Sequence, residues 1–419
     1  MEDVSNDVAV IVFHMNLEDI EMLRMTLPTL FLTWSILFVS PANAAPSSVQ
    51  IRVGSTEKEK NNPPFEGNRP AVDIALLLDT SNSMDGLINQ AKNQLWTIVG
   101  QFAKAKKNGQ TPTLRVALLE YGNTHLPASE GYLRQVIQLT DDLDAVSEAL
   151  FELKTQGGDE YCGQVIQEAL TRLDWSGEPN SYKAIFIAGN EPFTQGAIDY
   201  RQSCQSAIEQ GIIVNTIHCG SYQAGVNGQW QDGARRAEGE YFNIDQDRTI
   251  VHIECPQDQI IIQLNAKLNE TYLWYGTTPM RRRYKENQFQ QDANAAKSSF
   301  GTLVNRAVTK AGKAYQNTKR DLVDTLAESE DVYGKIKHSE LPDKLKKMPP
   351  AQRRAYVKKM AATRKQLQKK IAVLNQKREA FLAKHRKSRV EENNEATLGN
   401  AAATAIQNQL QRSGFESAK

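Results

Sequence analysis

Between about residue 70 and residue 270, short apolar runs alternate with longer amphipathic ones, and this alternation restricts the fold more than any other feature of the chain. The short runs are 74–78, 114–119, 133–137, 184–188, 212–217 and 241–244. Helical spacing fills 87–103, 143–153, 165–173, 198–208, 232–238 and 257–269. Several of the short runs are apolar on both faces, so neither face can lie against water, and helices must cover the sheet on both sides. The fold class read from this is α/β: an open, doubly wound, mostly parallel sheet, with 241–244 as an edge strand and 257–269 as the closing helix.

A chain of 419 residues is too long for one such core alone. After about residue 285 no strand pattern recurs, and Ala, Lys, Gln and Arg dominate. Between 357 and 381 one heptad line carries Met360, Leu367, Leu374 and Phe381, and a second carries Val357, Arg364, Ile371 and Arg378. That is the seam of a coiled coil or a helical hairpin, interrupted by two arginines, and it would support a homo-oligomer. Pro349-Pro350 marks its start, and 300–333 is the candidate antiparallel partner. The organisation expected is a sheet domain over 71–270, a helical and coiled-coil region over 285–387, and a tail over 388–419 whose pattern at 398–410 either docks or frays.

Charge is divided between the halves. From Lys344 to Lys387 sixteen Lys and Arg face a single acid, Glu379, a local net of +15 in a chain whose formal total is +1. Such an arm suits an anionic surface or an acidic partner, and equally reads as a solvated helical face. No aromatic ladder interleaves its lysines, which argues against nucleic acid.

At the other end, Arg24, the apolar run 27–39 and Ala42-Asn43-Ala44 have the order of a cleaved export signal. The expectation is a signal peptide over 1–44, a linker over 45–70 containing the charged, prolyl stretch 57–64, and a periplasmic or secreted protein. Acidic residues 2, 3, 18, 19 and 21 do not suit a signal's basic start, which points to Met22 or Met25 as the true initiator. Cys162, Cys204, Cys219 and Cys255 contain no C-x-x-C pair, and either form up to two bridges or stay buried as thiols.

The chemistry is expected where the first strand stops. The run 74–78 leads directly into Asp79-Thr80-Ser81-Asn82-Ser83, and ligands of open α/β sheets bind outside the carboxyl ends of strands where strand order reverses. One carboxylate and two hydroxyls in D-x-S-x-S spacing form a hard oxygen set suited to Mg2+, with Ca2+ or Mn2+ also possible. The competing reading makes Ser81 or Ser83 a helix cap. A phosphotransferase built on an aspartate nucleophile would place a second acid where Ser81 stands. A serine hydrolase would need a G-x-S-x-G elbow, which is absent, and a histidine; His125 and His218 lie near strand ends. No G-x-x-x-x-G-K-[ST] loop is present.

The run 72–83, the loop Gly157-Gly158-Asp159-Glu160, the strand 184–189 and the segment 237–242 resemble the successive landmarks of a von Willebrand factor A domain. The resemblance covers roughly half the chain and implies a metal-ion-dependent adhesion site. Asp79, Ser81 and Ser83 match its first loop. Asp159 stands where the family carries a threonine, with Thr155 as a substitute. The third loop departs from the family's T-D-G: it reads Ala188-Gly189-Asn190-Glu191-Pro192, leaving Asn190 or Glu191 to supply a ligand. The function expected is a metal-dependent adhesion or scaffolding module of the cell envelope that captures a partner's acidic residue and is not an enzyme. The alternatives are a metal-dependent phosphoester hydrolase and a structural protein whose metal site has decayed. The segment 273–276, Leu-Trp-Tyr-Gly, is either a recognition surface or the packing at a helix end.

Overall fold

The computed structural model describes residues 69–102, 105–178, 181–248, 252–387 and 397–417. The signal peptide expected over 1–44, most of the linker and residues 388–396 of the tail lie outside the described residues.

Strands β1 (Ala71–Asp79), β2 (Ala105–Lys106), β3 (Thr113–Tyr121), β4 (Leu133–Thr140), β5 (Tyr182–Gly189), β6 (Ile213–Cys219), β7 (Tyr241–Ile244) and β8 (Glu416–Ser417) follow one another along the chain. Six of them form a sheet in the order β4-β3-β1-β5-β6-β7, and β2 pairs with β8. β4 runs antiparallel to β3, while every other pair in the large sheet is parallel. The sheet is thus the mostly parallel, doubly wound one expected from the sequence.

β1 explains the layering. All nine of its residues are buried, and its side chains alternate between two cores. Val72, Ile74, Leu76 and Leu78 join one cluster, and Ala75 and Leu77 join the other. The second cluster is covered by α3 (Cys162–Arg172), α4 (Tyr200–Glu209) and α6 (Trp230–Arg236), with α5 (Tyr222–Asn227) beside α6. The first is covered by α1 (Asp85–Phe102), α2 (Leu143–Glu152) and α7 (Asp258–Asn269), together with helices from the far half of the chain.

Those helices are α8 (Thr278–Ser298), α9 (Phe300–Ala311), α10 (Leu322–Glu328), α11 (Glu330–Lys335), α12 (Asp343–Lys346), α13 (Pro350–Lys387) and α14 (Leu398–Arg412). They belong to the same compact unit as the sheet. α14 docks: Leu398, Ala401, Ala402, Ala405, Ile406 and Leu410 are buried in the first cluster with α1. Each large aliphatic side chain so buried contributes about 1.5–3 kcal/mol. Its Gln409 is also buried, accepting from Tyr182 Oη at 2.6 Å and donating to Asn215 Oδ1 at 2.6 Å.

α13 is one helix of 38 residues, and its seam rests on α7, α9 and α10. The arginines that interrupt the heptad pattern are what join it to them. Arg364 is buried and reaches Asp321 Oδ2 at 2.7 Å, Asp324 Oδ1 at 2.6 Å and Thr271 Oγ1 at 3.0 Å, with its guanidinium 4.0 Å from the centre of the Tyr272 ring. Arg378 reaches Asp258 Oδ1 at 2.8 Å. α9 is held in the same way, since the fully buried Arg306 donates to Asp144 Oδ1 at 2.7 Å and to Asp292 Oδ1 at 2.5 Å. The aromatic segment around 274 packs inward: Trp274 is buried and stacked on Tyr272, ring centres 5.2 Å apart. All four cysteines are free, buried thiols.

Candidate metal centre at the carboxyl end of the sheet

β1 lies between β3 and β5, and the chain leaves it where strand order reverses. Asp79, its last residue, is fully buried. Its Oδ1 accepts from the Ser81 amide at 2.7 Å. Its Oδ2 has no hydrogen-bond partner among the described residues, although it is buried. Satisfied pairing is the rule for such atoms, and this one is an exception to it.

Glycines make room around it. A Cβ on Gly189 would stand 3.2 Å from Asp79 Oδ2 and 2.5 Å from Tyr121 Oη. On Gly122, where φ is +76°, it would stand 2.7 Å from Asp79 Oδ1 and 2.9 Å from Glu160 Cγ. Any side chain at either position would fill the space in which the two carboxylates meet.

The first loop holds its hydroxyls ready. Ser81 stands at the start of a short 3-10 turn over Asn82–Met84, and its side chain makes no capping hydrogen bond. Its Oγ lies instead 3.1 Å from Ser83 Oγ. The capping reading of these serines is therefore not what the local geometry uses them for.

The second loop is tied to the first by backbone and side chain. Gln156 N donates to Thr80 O at 2.8 Å, and Gly157 N donates to Asn82 Oδ1 at 2.9 Å. The residue this loop sends inward corrects the sequence expectation, for Asp159 is exposed and its Oδ2 accepts from Tyr161 Oη at 3.1 Å. Glu160, the next residue, is buried beside Asp79. Thr155 is not the substitute either, since its hydroxyl bonds to Asp85 Oδ1.

The third loop contributes one of its two candidates. Ser83 Oγ and Asn190 Oδ1 are 3.4 Å apart, which puts the amide oxygen at the edge of the serine pair. Glu191 directs its carboxylate to Gln195 Nε2 at 3.2 Å, and only its backbone N–H turns to the site, donating to Glu160 Oε2 at 3.3 Å. His218 Nε2 lies 3.2 Å from Asn190 O, and Trp230 Nε1 donates to Glu191 O at 2.8 Å, so both rings brace this loop. His125 is exposed, and neither histidine bonds to Ser81 or Ser83.

Two buried acids side by side disfavour their own ionisation. Burial pushes the Asp79 carboxyl well above its ordinary range, and Glu160 beside it pushes in the same direction, against the pull of the Ser81 N–H. Burial raises Glu160 as well, against the hydrogen bonds made to it. Among the described residues neither carboxylate takes part in an ion pair. No group of three or more His, Cys, Asp and Glu is arranged for a metal there. The donors present are two carboxylates, two hydroxyls and an amide oxygen, and this set fits a hard divalent cation.

Comparison with known proteins agrees with the fold. A family model described as the von Willebrand factor type A domain matches residues 73–250. No curated protein matches the chain. Among solved structures, the proximal thread matrix protein 1 of the mussel byssus, described with a zinc-occupied MIDAS motif, is 15% identical; the match covers 43% of this chain and 43% of that one, with a TM-score of 0.33. This chain thus spans less than half the length of that protein. BatB of Bacteroides thetaiotaomicron is 15% identical over 42% of this chain and 91% of that one, with a TM-score of 0.32. The pilus adhesin SpaC of Lactobacillus rhamnosus GG is 14% identical over 43% and 28%, with a TM-score of 0.33.

Proposed function

With residues 73–250 a von Willebrand factor type A domain, we propose that this chain is a metal-dependent binding protein of the cell envelope, exported to the periplasm or beyond it, and not an enzyme. One observation carries the reading: Asp79 and Glu160 are buried together without a cationic side chain, and an Asp79 oxygen has no partner. A divalent cation would be held by Asp79, Ser81, Ser83 and Glu160, with Asn190 at the edge. Hard oxygen donors with few charges suit Mg2+ best, and Ca2+ or Mn2+ next. When bound, the cation supplies a position that an oxygen ligand from outside can occupy.

The chain's own residues set what that ligand can be. Ser81 and Ser83 add no charge, so a partner protein presenting an Asp or Glu side chain fits the opening. The second carboxylate, Glu160, strengthens the hold on the cation and weakens its attraction for that incoming acid. Catalysis is disfavoured because the two serine hydroxyls bond to each other and no histidine is aimed at either.

The test is affinity capture of envelope proteins by wild type and by Asp79→Ala, each in Mg2+ and in chelator. A partner retained only by wild type in Mg2+ supports the reading. Partners retained equally in all four arms contradict it.

A further inference from the structure

The long helix α13 has a second face that the metal centre does not use. Its buried side, carrying Val357, Arg364, Ile371 and Arg378, rests on α7, α9 and α10. Lys359, Lys370, Lys377 and Lys384 are exposed on the other side. Their spacings of eleven, seven and seven residues return each to within about 20° of one line along the helix. Lys369 and Lys365, also exposed, lie about 80° and 120° to one side of that line. The row from Lys359 to Lys384 extends for about 38 Å at 1.5 Å per residue.

The internal arginines and these lysines divide the positive charge of the region between two tasks. Arg364 and Arg378 are neutralised by buried aspartates, and Arg354 pairs with Glu330. None of the six lysines takes part in an ion pair among the described residues. A helix face selected only for solubility mixes acids among its bases at a spacing of four, which stabilises the helix. Here the only acid from Lys344 to Lys387 is Glu379, and Lys365 and Lys369 are like charges four apart.

Between the lysines stand Ala362, Gln366, Val373, Gln376 and Ala380, all exposed and uncharged. The result is a cationic strip along one helix whose charges are point charges rather than bidentate forks. Lysine is a compact point charge that reads no shape, unlike arginine.

We propose that this face of α13 docks the protein on an anionic lipid surface. A row of ammonium groups on flexible stems, backed by a rigid helix, meets a plane of phosphate headgroups along its whole length, whereas a polyanion chain or a second protein would have nothing to lodge in. The attraction is electrostatic, so it falls within a Debye length and weakens with salt. It is independent of the cation at Asp79.

The experiment is co-sedimentation of the full chain with vesicles of phosphatidylcholine alone and of phosphatidylcholine mixed with phosphatidylglycerol. Binding to the mixed vesicles alone, and its loss in high salt, is expected. Changing Lys359, Lys370, Lys377 and Lys384 together to Gln should weaken that binding about 100-fold or more. Changing the same four to Arg should preserve it. Because all four are exposed, the unfolding midpoint of both variants should match wild type. Equal binding to both vesicle types, undiminished binding by the Gln variant, or retention by polyphosphate without retention by mixed vesicles would each overturn the proposal.

Discussion

Two groups of buried carboxylates are treated in opposite ways. Where the helical half meets the sheet domain, five acids have a cation supplied by the chain: Arg306 for Asp144 and Asp292, Arg364 for Asp321 and Asp324, Arg378 for Asp258. At the carboxyl end of β1, Asp79 and Glu160 are buried with none. A buried acid with its partner built in is part of the architecture. On the function proposed above, a pair of buried acids without one is a place for a cation from solution, and the free energy it costs the metal-free fold would be recovered when that cation binds.

Perturbing the junction should give the largest effect. Arg306→Met leaves Asp144 without its guanidinium in the core and is expected to lower stability by about 3–5 kcal/mol, read from the urea unfolding midpoint. The same kind of change at the sheet end should have the opposite sign. Asp79→Ala is expected to weaken cation binding by more than about 100-fold, while in chelator the variant unfolds at the same or a higher urea concentration than wild type. A marked loss of stability in chelator would erase the distinction between the two regions.

A finer comparison lies within the second loop. Glu160→Gln is expected to weaken cation binding by about 10- to 100-fold, and Asp159→Asn to change it by less than about threefold, because only the first is buried beside Asp79. Titration of both variants with Mg2+ or Mn2+ separates the sequence assignment from the structural one.

The smallest effect is on pH. The Asp79 carboxyl is raised above its ordinary value of 3.8 and that of Glu160 above 4.5. Folded metal-free protein therefore holds protons that the unfolded chain has released. Its stability from this pair is fully present below those ordinary values and is lost as pH rises through the raised ones. Cation affinity follows the reverse course, rising with pH over the same window as the competing protons leave. Unfolding curves in chelator from acid to neutral pH should fall more steeply for wild type than for Asp79→Asn.

Much of the fold is legible in the sequence, because its apolar pattern is periodic. Strand 241–244 as an edge follows from the alternation of short apolar and longer amphipathic runs, and Asp79, Ser81 and Ser83 are candidates from their place after the apolar run 74–78. Asp159, the candidate read from the sequence, turns outward and Glu160 inward; adjacent acids in a loop differ only in where the backbone aims them, and that is decided by the stapling of the loop to Asn82 and Thr80. Asn190 was legible as a candidate and Glu191 was not separable from it, since the bracing by His218 and Trp230 comes from residues far along the chain. The helical half shows the same limit. The heptad pattern covers residues 357–381 of α13, but the arginines in its seam point to Asp321, Asp324 and Asp258, partners that no local period reveals.

The most direct measurement is calorimetric titration of metal-stripped wild type and Asp79→Ala with Mg2+ and Mn2+, at a pH where both carboxyls of the pair are ionised on cation binding. Saturable one-to-one binding with proton release by wild type, absent from Asp79→Ala, is the result expected of a cation site between Asp79 and Glu160. Identical isotherms for the two proteins, or no binding by wild type, would contradict it.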